Sequence, residues 1–291
     1  MELIVTLKKI EYLSKFKDLG VKGVIAGTPA FSSRFFFDLE DLKNISDDCQ
    51  TYGLDLYISL DTFIEEKDRA VLCEYLEFLA TLELKGIYFN DLSVYSVAKK
   101  MGFDKYLIYD PNTLITNSLD ANFYLNLGMD SVVLGREITL DEIKNIAKHT
   151  NNKVDMQIFG YVKTATSKRR FLTNYFEHLG QKYNVTDKES LRIVEETRDY
   201  DMPILENKYG TQIYTDYILC TYEEYPTLNK ILRRGIIDDI FLKEEELFRV
   251  LEDYQRLNEG NAHLLLNNLK LKYYKHVFDT GYLYQKTNLT K

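Results

Sequence analysis

Short β-branched or aromatic runs alternate with longer amphipathic stretches as far as about residue 257, which restricts the chain to folds made of repeated βα units around a parallel sheet. The runs at 3–7, 23–26, 56–60, 86–89, 106–109, 131–134, 154–159 and 239–242 predict eight strands. Between them, 10–19, 39–52, 67–82, 93–101, 120–127, 140–149 and 244–257 carry helical spacing. Several of these close on a glycine suited to a C-cap: Gly20, Gly53, Gly102 and Gly128. Eight strands with intervening helices predict an α/β fold, a (β/α)8 TIM-like barrel over 1–257, although an open doubly wound sheet begins with a similar pattern. The alternation breaks after Val162. Residues 163–225 read as an insertion after strand 7, with short antiparallel strands at 191–195, 203–206 and 211–217 and a turn at Lys208-Tyr209-Gly210. Residues 258–291 read as a C-terminal helix and a docking tail.

The formal net charge of −8 opposes a surface that attracts nucleic acid everywhere, because phosphate binding needs clustered Lys and Arg. Local basic patches remain: Lys163 with Lys168, Arg169 and Arg170; Lys230 with Arg233 and Arg234; and Lys270, Lys272 and Lys275. The last two read as solvated charges in acidic surroundings. No run approaches the roughly 18 apolar residues of a membrane span and the N-terminus lacks a basic leader, so a cytoplasmic protein with no membrane partner is expected. Cys49, Cys73 and Cys220 are too few and too scattered for a disulfide framework or a metal knuckle and read as plain thiols.

In such barrels reactive groups sit where strands end, so the mouth can be listed without knowing the reaction. It comprises Thr28 and Phe31, Asp61, Asn90 and Asp91, Asp110 and Asn117, Arg136 and Glu137, and Tyr161 with Lys163. Arg136 can clamp an anion bidentately with Glu137 orienting it, or the two can form a structural pair. Asp61 and Asp91 can act as acid and base, or serve as N-caps of the helices that follow. The sequence lacks G-x-S-x-G, H-E-x-x-H, G-x-x-x-x-G-K-[ST] and G-x-G-x-x-G. His149, His178, His263 and His276 all fall outside the predicted strand ends.

The segment Val133-Leu134-Gly135-Arg136-Glu137-Ile138-Thr139-Leu140-Asp141-Glu142-Ile143 and the closing Gly281-Tyr282-Leu283-Tyr284-Gln285-Lys286-Thr287 resemble the peptidase U32 family, described as collagenase-like proteases. Asn117 matches in the preceding unit. That family's signature runs approximately E-V-F-V-H-G-A-L-C-x-x-x-S-G-x-C-x-L-S. Against it, Asp155 stands at the Glu, Phe159 at the His, Gly160 at the Gly, Lys163 at the first Cys, Ser167 at the Ser, Lys168 at the second Gly, Arg170 at the last Cys and Thr173 at the final Ser. In relatives believed to hold a [4Fe–4S] cluster those thiolates are ligands, and neither an ammonium nor a guanidinium can donate to iron.

The resemblance therefore implies a chain without metal or cluster, Lys163 and Arg170 standing where the ligands were. It looks like the short, cysteine-poor branch similar to the smaller partner of the bacterial pair implicated in 5-hydroxyuridine formation at the tRNA wobble position. The implied partners are a larger cysteine-bearing U32 paralogue, tRNA, and a carboxylated small molecule, prephenate being the donor implicated in related hydroxylation. The implied binding residues are Lys163, Lys168, Arg169, Arg170, Arg136 and Asn117. Catalytic residues stay open, with Arg136, Glu137, Asp61 and Asp91 as candidates. The alternatives are a U32 peptidase and a catalytically inactive scaffold for the paralogue. Whether the chain is itself an enzyme is left open, a tRNA-hydroxylation component being favoured over a peptidase.

Overall fold

The computed structural model describes residues 1–196 and 199–285, so Lys286 and Thr287 of the closing motif lie outside the described residues. The apolar runs form β1 (Glu2–Thr6), β2 (Gly23–Ala26), β3 (Asp55–Leu60), β4 (Gly86–Phe89), β5 (Tyr106–Tyr109), β6 (Ser131–Val133) and β7 (Val154–Ser167), paired in parallel in chain order. The amphipathic stretches form α1 (Tyr12–Asp18), α2 (Asp41–Tyr52), α3 (Arg69–Ala80), α4 (Leu92–Met101), α5 (Ser118–Asn126) and α6 (Leu140–His149). After β7 come α7 (Phe171–His178), β8 (Arg192–Ile193), β9 (Met202–Asn207), β10 (Gly210–Cys220) and α8 (Tyr225–Ile231). The eighth barrel strand, β11 (Arg234–Ile237), pairs in parallel with β1 on one side and β7 on the other, closing a TIM-like barrel. The chain then runs through α9 (Glu244–Arg256) and α10 (Ala262–Lys272) to β12 (Phe278–Asp279), which joins β10.

The closing strand lies before the run at 239–242 that the sequence suggests. Arg234 conceals it, because a charge beside Arg233 and Lys230 reads as surface. Arg234 is instead fully buried, with Nη1 3.0 Å from Asp155 and 2.8 Å from Ser131 Oγ, and Nη2 2.7 Å from Asp130. Its guanidinium also lies 5.2 Å from the centre of the Tyr57 ring. A buried charge is tolerable only when paired, and Arg234 is paired with Asp155 and Asp130, while Asp155 Oδ1, Arg234 Nε and the Tyr57 hydroxyl find no hydrogen-bond partner among the described residues. Burial raises the Asp155 carboxyl above its ordinary range despite the opposing pull of Arg234.

Above the floor, Ile4, Tyr57, Tyr88, Ile108, Val133 and Ile236 pack inside the barrel, and alternate residues of the same strands face the helices. The core is therefore double, one part inside the sheet and one between sheet and helices. Among the described residues no helix is long and apolar enough to cross a membrane.

β7 continues out of the barrel. Ile236 pairs with Gln157 and Ile237 with Phe159, so Ile158 is an extra residue in β7. Its carbonyl is satisfied by Thr221 N, Thr221 Oγ1 and Tyr254 OH at 3.2, 3.0 and 3.1 Å. Two residues on, Gly160 has φ 115°, and a Cβ there would lie 2.2 Å from the Asp238 carbonyl oxygen. Beyond that crossing β7 pairs antiparallel with β10, β10 with β9, and β9 with β8.

Arg234→Ala leaves Asp155 buried without its cation and is expected to cost about 3–5 kcal/mol in urea unfolding. Arg234→Met with Asp155→Leu is expected to restore part of that loss. An Arg234→Ala variant as stable as the parent would show that the pair does not hold the closing strand.

Candidate functional site at the barrel mouth

The loop after β2 turns back over its own strand end. A Cβ on Gly27 would lie 1.9 Å from the Arg34 carbonyl oxygen, so only glycine permits this return. The return brings Ser33 and Arg34 into the mouth. Arg34 hydrogen-bonds Asp238 through Nη1 and Asp239 through Nη2, the latter at 2.6 Å. Thr6 Oγ1 donates to Asp239 at 2.6 Å, and Lys8 Nζ donates to the Asp239 carbonyl at 2.7 Å. Burial pushes both carboxyls up. For Asp238 burial is the largest single influence, but the Arg34 charge, the Arg34 and Ile240 hydrogen bonds and Lys8 together bring its pKa below the ordinary value, whereas Asp239, with its side chain almost wholly buried, stays above it.

Across the mouth, Asp61 accepts from Ser33 N at 2.7 Å and Lys163 Nζ at 2.9 Å, and also from Ser33 Oγ. Burial alone would raise the Asp61 carboxyl, but Lys163 and the two Ser33 hydrogen bonds bring it below the ordinary range. Arg136 differs from these cations. Its Nη1 donates to the Lys163 carbonyl at 2.7 Å, and it pairs with no carboxylate among the described residues.

Of the cavities that open at this mouth, two share a wall. The inner one, about 110 Å³, is bounded by Arg34, Asp61, Gln157 and Tyr214. The outer one, about 320 Å³, lies between the barrel, the insertion and the C-terminal segment, against Glu137, Met202, Tyr217 and Tyr282. Asn112, Arg136, Gln157 and Lys163 line both and form the wall between them. This arrangement can hold a small polar molecule with an anionic group on Arg136 and neutral contacts from Gln157 and Asn112.

Of the residues singled out from sequence, Arg136, Glu137, Asp61 and Lys163 come together here. Asp91 instead caps α4, accepting from Ser93 N at 2.9 Å, and Asn117 caps α5, accepting from Asp120 N at 2.9 Å. Lys168 leaves the mouth to pair with Glu65, and Arg169 is exposed. Arg170 Nε lies 3.7 Å from Glu206 Oε1, at the start of α7. None of the four His residues lines either cavity. Sequence reasoning missed Arg34 and Asp238. The misplaced last strand concealed Asp238 as a strand-end residue, and Arg34 lies too deep in a long loop for its return to be read.

The signature positions have structural roles here. Phe159 packs on Tyr222 and Tyr254, Asp155 anchors the floor, and Thr173 Oγ1 donates to Glu206. Lys163 and Arg170, each engaged with a carboxylate, do not fit as ligands of an iron–sulfur cluster. Among the described residues no three His, Cys, Asp or Glu converge as a metal set. Cys49 and Cys220 are buried, and desolvation pushes the Cys49 thiol up to about 12.

A closed (β/α)8 barrel with an insertion on its seventh strand and a signature along that strand defines the class of protein. The model of peptidase family U32 matches residues 8–288, and the chain belongs to that family. It is 26% identical to tRNA hydroxylation protein P2 of Bacillus subtilis, over 87% of this chain and 84% of that protein. It is 26% identical to an uncharacterized protease of Methanocaldococcus jannaschii, over 80% of this chain and 60% of that one. The match to tRNA hydroxylation protein P1 of Bacillus subtilis is 22% identical over 60% of this chain and 42% of the relative. A solved U32 peptidase superposes with a TM-score of 0.52 at 14% identity, covering 82% of this chain and 92% of that one, and shares the fold.

The Asp61–Lys163 pair sets a titration that can be followed by carboxyl-carbon NMR. Asp61 has a lowered pKa in the folded state, so its contribution to stability is present above its unfolded value near ~3.9 and is lost as pH falls through the folded value. Lys163→Met is expected to move the Asp61 pKa above the ordinary carboxylate value, because burial then lacks its main opposition. An unmoved titration would mean that Lys163 does not set the charge at this mouth.

Proposed function

We propose that this chain is a non-cluster subunit of a system that hydroxylates tRNA wobble uridine at carbon 5, working beside a larger cysteine-bearing U32 paralogue. In this reading Arg136 receives the carboxylate of a small molecule at the barrel mouth. One observation carries it: Arg34, Lys8 and Lys163 are neutralised by Asp238, Asp239 and Asp61, while Arg136 faces both cavities without a carboxylate partner among the described residues. A cation left uncompensated in a mostly buried mouth is suited to an anionic ligand. The likeness to relatives named for tRNA hydroxylation supports the choice of pathway.

The division of labour follows from chemistry. With a lysine and an arginine where the family signature has cysteines, this chain holds no cluster, and the redox part of the hydroxylation falls to the paralogue. Its own residues bind and orient: Arg136 fixes the carboxylate, Gln157 and Asn112 contact the rest of the ligand, and the Asp61–Lys163 pair holds the wall in place. The peptidase reading lacks a comparable observation, since no histidine borders either cavity to activate a nucleophile.

Disruption of the gene, in a background without a redundant route, is expected to deplete 5-hydroxyuridine-derived nucleosides in bulk tRNA measured by mass spectrometry. Arg136→Ala is expected to fail to complement, with Arg136→Lys intermediate. Unchanged nucleosides after disruption would defeat the proposal. Purified chain is expected to contain no stoichiometric iron or acid-labile sulfide, and finding both would overturn the assignment as the non-cluster subunit.

A further inference from the structure

The basic run beyond the mouth has a feature that the mouth does not explain. Phe171 and Tyr175 on α7 and Leu179 at its C-cap are spaced four apart and all are exposed. Tyr175 packs on Phe176 at 5.4 Å between ring centres, Phe176 packs on Tyr183 at 5.0 Å, and Lys188 Nζ sits 4.5 Å from the Tyr183 ring centre. Tyr175 and Tyr183 nevertheless leave 57% and 52% of their surfaces open. Core packing does not account for aromatics placed this way.

The charge around them runs against that of the whole protein. From 168 to 189 the cations are Lys168, Arg169, Arg170, Lys182 and Lys188 and the acids are Glu177, Asp187 and Glu189, in a chain of net charge −8. Attraction for an anion comes here from side chains. The α7 N-terminus is already occupied by the buried Glu206 carboxylate, which accepts from Leu172 N at 2.7 Å and Thr173 N at 3.1 Å. Glu206 also accounts for part of the Arg170 charge, which leaves Arg169, exposed and unpaired among the described residues, as the most available cation.

We propose that the exposed aromatic face of α7 and Tyr183, flanked by Arg169, Lys182 and Lys188, binds a single-stranded loop of a structured RNA. Tyr175 stacks on an unpaired base, Tyr183 supports that ring through Phe176, and the cations contact phosphates. Open aromatic faces interleaved with Lys and Arg match such a strand, whose bases expose π-faces and whose backbone carries the charge. A fully paired stem presents neither feature, because its bases are stacked on one another. A protein partner of ordinary acidic character would account for the cations but not for the exposed Tyr175 ring beside them. This inference rests on the tRNA reading above and specifies the surface through which the RNA would be held.

The probe is a fluorescein-labelled RNA hairpin with a uridine-containing loop, compared with the fully paired duplex of the same stem, by anisotropy against the whole protein. The parent is expected to prefer the hairpin. Tyr175→Ala and Tyr183→Ala are each expected to weaken hairpin binding about five- to tenfold, and Tyr175→Phe to retain it. Arg169→Ala is expected to lower the slope of affinity against salt by about one. Both tyrosines are exposed, and an unchanged thermal melt would confirm that the alanine variants remain folded. Equal affinity of parent and tyrosine variants, or equal binding of hairpin and duplex, overturns the inference while leaving the hydroxylation reading intact. A change of oligomeric state in the tyrosine variants with RNA affinity unaltered also overturns it, in favour of a protein interface. Unchanged tRNA nucleosides in the disrupted strain, with hairpin binding still dependent on Tyr175, would refute the hydroxylation reading and keep the RNA face.

Discussion

One backbone crossing organises everything above the barrel rim. Gly160 passes so close to the Asp238 carbonyl that a single added carbon would lie 2.2 Å from it, at a φ of 115° that side chains rarely adopt. Below this point β7 is a parallel barrel strand between β6 and β11. Above it β7 is the first strand of a small antiparallel sheet with β10. The bulge at Ile158 makes the change of direction possible without stranding a carbonyl, since Thr221 and Tyr254 satisfy it. The same crossing brings Lys163 to the mouth and leaves Lys168 to Arg170 outside it, so the family glycine at this position has a geometric reason.

Charge inside this barrel is arranged in two tiers. At the floor, Arg234 and Asp155 neutralise each other with help from Ser131 and Asp130, and they link the closing strand to β7. At the rim, Arg34 bridges Asp238 and Asp239, and Lys163 meets Asp61. Desolvation makes each of these pairs costly unless complete, which is why Arg136, with no carboxylate partner among the described residues, stands out. At the rim Arg136 faces cavities of about 110 and 320 Å³ and is paired with no carboxylate among the described residues, although Asp110, Glu137 and Asp279 also line them.

The barrel could be read from the chain because strand and helix periods are local properties, and so could the mouth positions of Arg136, Glu137, Asp61 and Lys163, which directly follow or extend apolar runs. Asp91 and Asn117 also follow such runs, yet their short polar side chains turn back to cap α4 and α5. From spacing alone a cap and a site residue look the same. Arg234 was unreadable for the opposite reason: a charge is assigned to the surface until a counter-charge appears, and Asp155 lies far away in sequence.

By itself the sequence determined the repeating βα architecture, the break after Val162 and the basic run Lys168-Arg169-Arg170 that follows it, because each is written in contiguous residues. Tertiary structure alone decided which cations are spent and which remain. It paired Lys163 with Asp61, set Arg170 against Glu206 and buried Arg34 on Asp238. Arg136 was left with a backbone carbonyl. Coulomb interactions depend on distance through space and on burial, and the order of residues along a chain specifies neither.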